Sequence, residues 1–299
     1  MDPADIAILT GQAKDRFEAT GYLIHALSDR WKTMGLRVTV LGTPAFVPAR
    51  LLIPHIDATV RPADYEAFLN RYALVLNRGV TDVSKSGLSE NLISRDSAHS
   101  GPVIVKTNRN YGGLPERRAG DASGRRSLAR RLLSRWKALS GASPSGVAWD
   151  RVEWLETSSY PVFRNLREVP RGVFENPHLV VERFTPEMEG DLYCVRYAYV
   201  FGRREITLRL KSRRPVIRGA NAEACEEVEG SPELAPWRRR LGLDYGKIDF
   251  VVRGGQPVLL DVNPTPAATT LARHGFTGRV VDHLSGGLDE FLAPAPPSP

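Results

Sequence analysis

Asp249, Asp261 and Asn263 are residues whose types and spacing point to chemistry. They lie in two runs of β-forming residues, GKIDFVV and PVLLDVN, on either side of Gly254-Gly255-Gln256. Glycines between two such runs mark a hairpin, and the length of its turn decides where the side chains point. A three-residue loop sets Arg253 opposite Pro257, Val251 opposite Leu259, Asp249 opposite Asp261 and Lys247 opposite Asn263. A two-residue loop sets Asp249 opposite Leu260 and sends the two aspartates to opposite sides of the sheet. The apolar pattern favours the first register, in which Ile248, Phe250 and Val252 share a face with Val258, Leu260 and Val262. A glycine also suits the left-handed position of a three-residue loop.

In that register two carboxylates oppose each other with Cβ atoms about 5 Å apart, which is destabilising unless a cation lies between them. Two carboxylates and an amide oxygen are hard ligands. Magnesium, completing its shell with water and phosphate oxygens, suits them better than zinc, which wants His or Cys. The alternative is a solvated pair of aspartates on an exposed strand face, each with its own counter-ion. Pro264-Thr265-Pro266, which ends the strand sharply after Asn263, favours a site. The segment 242–247 imitates a phosphate loop, but it is one residue short, Ile248 stands where Ser or Thr belongs, and a strand follows instead of a helix. The sequence has no recognisable Ser/His/Asp or Cys/His pattern, and its histidines lack metal-ligand spacing.

These residues need elements to hold them. DIAILT (5–10), LRVTVLG (36–42), LLIPHID (51–57) and YALVLN (72–77) read as strands. YLIHALSDRWKTMG (22–35) reads as a helix with Leu23, Leu27, Trp31 and Met34 in one stripe, ending at Gly35, and DYEAFLNR (64–71) as another. Alternating strands and helices predict a small parallel α/β domain over roughly the first eighty residues. It has no G-x-G-x-x-G after its first strand. GPVIVKTNRNYGG (101–113) reads as a buried strand ending in a lysine and a glycine-bearing loop. SLARRLLSRWKAL (127–139) reads as a helix with Leu128, Leu132, Leu133 and Trp136 on one face. HLVVERF (178–184), DLYCVRYAYVFG (191–202) and ITLRLKS (206–212) read as successive strands, the last two as a hairpin, and the tail APAPPSP as disordered.

The chain has 299 residues, 42% hydrophobic and 25% charged, which excludes a mainly disordered, collagen-like or coiled-coil protein. No apolar run approaches the roughly 18 residues of a membrane span, and the acidic N-terminus does not read as a signal peptide. Cys194 and Cys225 are the only cysteines. They cannot build a disulfide framework or zinc ribbon, and a reducing cytoplasm is the default setting. The net charge is +7, which is either a solubilising surface or a match for a polyanionic partner. Much of the excess lies in residues 116–137.

Four segments, in order, resemble the ATP-grasp superfamily, which includes D-alanine–D-alanine ligases, glutathione synthetases and ribosomal-protein glutamylating ligases. They are NRGVTDVSK, VIVKTNRNYGG, LVVERFTPEMEGDLYCVRYAYVFG and the paired GKIDFVV and PVLLDVNPTP. The resemblance covers roughly residues 72–270. It implies an α/β and α+β fold: a small N-terminal parallel α/β domain over 1–84, then two α+β subdomains sandwiching ATP. The central one, 85–177, would carry the lid and a basic insertion at 116–146. The C-terminal one, 178–290, would carry the hinge and the metal hairpin, with 291–299 as a tail.

Residue by residue, the resemblance implies that Lys85 and Lys106 hold ATP phosphates. The backbone of Glu182, Arg183 and Phe184 would meet the adenine edge. Asp191 would accept from the ribose hydroxyls, with Glu187 and Glu189 as competitors. Tyr111, Gly112 and Gly113 would form the lid, and Asp249, Asp261 and Asn263 would hold magnesium. Lys247 matches a basic position that stabilises the transferring phosphate or the tetrahedral intermediate. Arg196, Arg209, Lys211 and Arg218 are candidates to cradle the acceptor carboxylate, Arg209 foremost. His55 and Asp57, near a strand end, could touch a substrate or play a turn role. Three features depart from the family pattern: aspartate in place of the commoner glutamate at 261, a short glycine pair in the lid, and a long span between Lys106 and Glu182.

The activity so implied is ATP-dependent ligation. A carboxylate is activated as an acyl phosphate and joined to a nucleophile, most often an amine, with ADP and phosphate released. The partners would be small-molecule or peptide carboxylate and amine substrates, with no membrane. Two alternatives stand beside it: an ATP-binding regulator or scaffold without ligation, and a nucleic-acid- or tRNA-binding protein using the basic insertion. Against the latter, Trp136 is the only base-stacking aromatic among those arginines.

Overall fold

The computed structural model describes residues 3–12, 21–116 and 147–292. The predicted basic helix at 127–139 and the tail therefore lie outside the described residues. The chain divides into two compact units, one of Met1–Asp82 with Pro186–Pro299 and the other of Val83–Thr185. The described residues hold one parallel and two antiparallel sheets, the mixture of α/β and α+β that the sequence predicts.

The first unit begins with β1 (Ala4–Leu9), α1 (Leu23–Thr33), β2 (Val38–Leu41), β3 (Ala49–Pro54) and α2 (Asp64–Leu69). The strands form a parallel sheet ordered β2-β1-β3. The continuous apolar run of β1 suits a central strand covered on both faces. Ile6 and Ile8 pack in one core cluster with Leu23, Leu27 and Trp31 of α1. Leu9 packs in a second cluster with Phe68 and Leu69 of α2. Gly35, at φ 88°, ends α1.

Two expectations fail here. Met34 caps the helix and is 48% exposed, so the stripe stops at Trp31. YALVLN is not a strand: it makes a single parallel bridge, Leu52 to Val75. Asn77, at φ 51°, then turns the chain away. Its amide oxygen accepts from the N–H groups of Asp244 and Tyr245, and its Nδ2 donates to the Tyr245 carbonyl at 2.7 Å. That anchoring replaces further sheet pairing.

The second unit holds α3 (Lys85–Leu88), β4 (Val103–Thr107), β5 (Val162–Phe163), α4 (Arg171–Phe174) and β6 (Leu179–Arg183). Its sheet is ordered β5-β4-β6, with Ile104 opposite Glu182 and Lys106 opposite Val180. All five residues of β4 are buried, Lys106 among them.

The first unit resumes with β7 (Glu187–Glu189), β8 (Leu192–Phe201), β9 (Arg204–Ser212), β10 (Ala224–Val228), α5 (Leu234–Leu241), β11 (Tyr245–Arg253), β12 (Gln256–Asn263), α6 (Thr269–Arg273), α7 (Thr277–Ser285) and α8 (Asp289–Leu292). The sheet runs β10-β9-β8-β11-β12, with β7 also paired to β8. Tyr197, Tyr199, Phe201, Ile206 and Leu208 share a core with Leu27 and Trp31 of α1 and with Val280 and Leu284 of α7. The Trp31 indole N–H donates to the Ser285 carbonyl at 3.2 Å.

The hairpin of β11 and β12 corrects the expected loop. The turn has two residues, Gly254 and Gly255, at φ 58° and 77°, the left-handed pair such a turn requires. Phe250 then opposes Leu259, and Leu260 is the extra residue of a β-bulge. Beyond it Asp249 opposes Asp261 and Lys247 opposes Asn263, as expected, but through a bulge and not through a longer loop.

Candidate functional site

In an antiparallel pair, directly opposed residues point to the same face. Lys247, Asp249, Asp261 and Asn263 therefore form a two-by-two patch on one side of the β11–β12 ladder. Asp249 is 5% exposed. Lys247 Nζ lies 2.7 Å from Asp249 Oδ1 and 3.8 Å above the Tyr197 ring. Arg218, from the loop after β9, reaches 4.0 Å from Asp249 Oδ2. Burial pushes the Asp249 carboxyl above its ordinary range and the neighbouring Asp261 adds to the rise, while Lys247 and Arg218 oppose it. Burial alone would lower Lys247, but the charge of the Asp249 carboxylate and its hydrogen bond outweigh it, with the Tyr197 phenol group adding to the rise, so the ammonium is held.

Asn263 has further partners. Its Oδ1 accepts from Thr265 N at 2.8 Å and faces Thr265 Oγ1 at 3.2 Å. Thr265 Oγ1 also lies 3.3 Å from Asp57 Oδ1, and Tyr22 donates its hydroxyl to Asp57 Oδ2 at 2.8 Å. Among the described residues no three His, Cys, Asp or Glu side chains gather as a metal cluster. An ion on this patch would rest on two carboxylates and one amide oxygen. That donor set is all hard oxygen and fits magnesium or manganese, with water and phosphate oxygens completing the shell.

Arg209 is not brought to this patch. It opposes Arg196 on β8, whereas Asp249 opposes Tyr197, so Arg209 and Asp249 project from opposite faces of the sheet. Arg209 Nη2 lies 2.7 Å from Glu189 Oε2 and 2.5 Å from Glu226 Oε1, and Lys211 pairs with the same two glutamates. Arg196 is held by both oxygens of Glu187, whose Oε2 also accepts from Val252 N at 2.7 Å. Asp191 is exposed in the turn between β7 and β8.

In the second unit, Lys106 Nζ lies 2.6 Å from Glu182 Oε2, with both side chains buried. The other carboxylate oxygen, Oε1, is buried and has no hydrogen-bond partner among the described residues. Lys85 is buried at the start of α3, and its Nζ donates to the Arg109 carbonyl at 3.2 Å. Lys85 therefore meets the segment that follows Lys106. The predicted lid is a turn over Asn110–Gly113, with Tyr111 half exposed at φ 45°. A Cβ on Gly112 would come within 2.4 Å of the Leu155 carbonyl oxygen, so glycine is what allows this close approach. Two amides expected to face a base are already in use: Arg183 N donates to Asn91 O at 2.8 Å and Phe184 N to Pro102 O at 3.0 Å. A cavity of about 750 Å3 in this unit is lined by residues such as Arg95, His99, Arg167 and Arg171, and by none of the predicted site residues.

Sequence reasoning missed Thr265 and Tyr197. Asn-Pro-Thr was the available signal for Thr265, because an Asn side chain accepting from the amide two residues on is a recurrent turn. Tyr197 gave no local signal, since its role comes from pairing between β8 and β11.

No protein-family model matches the chain, and no curated protein matches it. The chain is similar to solved structures over most of its length. One is a RimK-domain ATP-grasp protein from Sphaerobacter thermophilus, at 15% identity, with 97% of this chain and 100% of that one covered and a TM-score of 0.45. Another is the D-alanine–D-alanine ligase of Bacillus anthracis, at 11% identity, 97% and 99% coverage and a TM-score of 0.43. A third is the macrocyclase MdnC of Microcystis aeruginosa bound with the precursor peptide MdnA, at 12% identity, 97% and 100% coverage and a TM-score of 0.45. Among the described residues no helix is long and apolar enough to cross a membrane.

Proposed function

We propose that the chain is an ATP-dependent ligase of the ATP-grasp type that joins a carboxylate to an amine. The observation that carries this reading is the opposed pair Asp249 and Asp261, flanked by Lys247 and Arg218 and preserved by a bulge. Like charges held face to face, with Asp249 buried, ask for a cation, and a phosphoryl transfer enzyme needs one beside positive side chains.

A substrate carboxylate oxygen would attack the γ-phosphorus of ATP, forming the O–P bond of an acyl phosphate as the bond from phosphorus to the ADP oxygen breaks. The amine would then attack the carbonyl, lose a proton and expel phosphate. Magnesium held by Asp249, Asp261 and Asn263 would supply charge neutralisation at phosphate oxygens. Lys247 and Arg218 would steady negative charge on the reacting groups. In the second unit, Lys106 and Lys85 would hold phosphates as point charges. Glu182 Oε1, which has no hydrogen-bond partner among the described residues, supports a role at the adenine amino group, since a buried carboxylate oxygen is costly unless something donates to it. Tyr111, Gly112 and Gly113 would cover the nucleotide, and Asp191 would meet the ribose.

The deciding experiment is thermal unfolding with an ATP analogue, with and without magnesium. Saturation at a hundred times the dissociation constant adds about 2.7 kcal/mol. A magnesium-dependent rise that disappears in Asp261→Ala with Asn263→Ala is expected. A folded wild-type protein that shows no rise would overturn the reading. Trapping of a hydroxamate by hydroxylamine, once a carboxylate is found, tests the acyl phosphate.

A further inference from the structure

We propose that Asp57 is a positioning residue for the acidic patch: it draws the hydroxyl hydrogen of Thr265 away from Asn263, which keeps a lone pair of the Asn263 amide oxygen open to a divalent cation. This rests on the reading that Asp249, Asp261 and Asn263 hold such an ion.

The geometry is a competition for one hydrogen. Thr265 Oγ1 lies 3.2 Å from Asn263 Oδ1 and 3.3 Å from Asp57 Oδ1. A hydroxyl has a single hydrogen to give, and an amide oxygen has two lone pairs. One lone pair of Asn263 already takes the Thr265 N–H at 2.8 Å. If the hydroxyl hydrogen also goes to Asn263, the oxygen has none left for a metal. If it goes to Asp57, one remains. A carboxylate is about twice as strong an acceptor as a neutral amide, so Asp57 wins the hydrogen. Thr265 is 3% exposed, which limits rescue by bulk water.

Asp57 is held for this task. It follows the carboxyl end of β3, and the Tyr22 hydroxyl donates to its other oxygen at 2.8 Å. The Tyr22 ring stands edge-on to His55 at 4.6 Å. The backbone on either side of Tyr22 is stitched to the segment beyond Thr265: Leu23 N donates to Pro266 O and Ala268 N to Gly21 O, each at 2.8 Å. Asp57, in the loop after β3, thus reaches the segment that follows the ligand strand through an exchangeable hydrogen bond from Thr265.

The test is titration of the full chain with Mn2+ alone, following free Mn2+ by electron paramagnetic resonance, with thermal unfolding in chelator as the control for folding. Asp57→Asn keeps the size and an acceptor for Tyr22 but removes the charge. It is expected to weaken Mn2+ binding about three- to tenfold, the worth of one hydrogen bond. Thr265→Val or Thr265→Ala added to Asp57→Asn should restore wild-type affinity, because neither residue has a hydrogen to give. Thr265→Ser, which keeps it, should not. A purely structural Asp57 would give no such rescue. Wild-type affinity in Asp57→Asn, or double variants no better than Asp57→Asn, would overturn the proposal. Asp261→Asn separates this from failure of the metal reading. If wild type does not bind Mn2+, or Asp261→Asn binds it equally well, the metal reading itself fails. Loss in Asp261→Asn beside an unaffected Asp57→Asn overturns only the role of Asp57.

Discussion

Asp249 and Asp261 face each other because Leu260 bulges out of the β11–β12 ladder. The two-residue turn of Gly254 and Gly255 would otherwise set Asp249 against Leu260 and send Asp261 to the other face. One extra residue restores the parity, at the cost of two opposed carboxylates. Replacing one of them should therefore help the metal-free fold. Asp261→Asn is expected to raise stability by about 0.2–1 kcal/mol in chelator and to abolish stabilisation by Mg2+ or Mn2+. Urea unfolding with and without the ion checks both signs, and a variant less stable than wild type in chelator would show that the pair is not strained.

The buried Asp249 carboxyl gives the metal-free protein a pH signature. Its pKa in the folded state is raised above the ordinary value of 3.8. The folded state therefore holds the proton where the unfolded state has lost it, and stability falls as pH rises from about 3.8 through the raised value. Asp249→Asn should flatten that part of the stability profile in chelator. Saturating Mg2+ should flatten it too, because a cation favours the ionised form. A wild-type profile identical to that of Asp249→Asn would remove Asp249 as its source.

Much of this was legible in the sequence because it is written in local pattern. The β1 run, the Leu23-Leu27-Trp31 stripe and the GKIDFVV and PVLLDVN strands each declare their element by period and composition. The Asp249–Asp261 pairing was legible by parity, yet its cause was not. A loop of three and a turn of two with a bulge leave the same apolar alternation near the aspartates, and only the ladder distinguishes them. YALVLN misled for a related reason. Its composition fits a strand, but Asn77 finds better partners at Asp244 and Tyr245, far along the chain. The use of the Arg183 and Phe184 amides by Asn91 and Pro102 was equally invisible, since it depends on where two loops fold back.

Lys106 and Glu182 form the pair whose breakage should be felt most. Their side chains are 10% and 1% exposed, and their charged atoms lie 2.6 Å apart. Lys106→Met strands a buried carboxylate and should destabilise by about 3–5 kcal/mol. Lys106→Met with Glu182→Met removes both charges and should recover much of that loss, while both variants lose nucleotide-dependent stabilisation. Chemical denaturation of the single and double variants separates these effects. A double variant as unstable as the single one would mean that packing and not charge holds this position.

Lys247 and Arg209 should differ in kind, because the sheet separates them. Lys247 touches Asp249 on the acidic face, whereas Arg209 is tied to Glu189 and Glu226 on the other. A cation on the acidic patch meets repulsion from the Lys247 ammonium. Two unit charges about 4 Å apart interact by about 1 kcal/mol even in water, and a divalent ion doubles that. Lys247→Met should therefore tighten the binding of Mn2+ alone, by about tenfold or more, while removing phosphoryl transfer. Arg209→Met should leave Mn2+ affinity unchanged and alter stability by about 0–1 kcal/mol, as expected of a partly exposed ion pair. Mn2+ titration of the two variants decides the matter. Weaker binding in Lys247→Met, in a protein that still unfolds cooperatively, would place the cation somewhere other than beside Asp249.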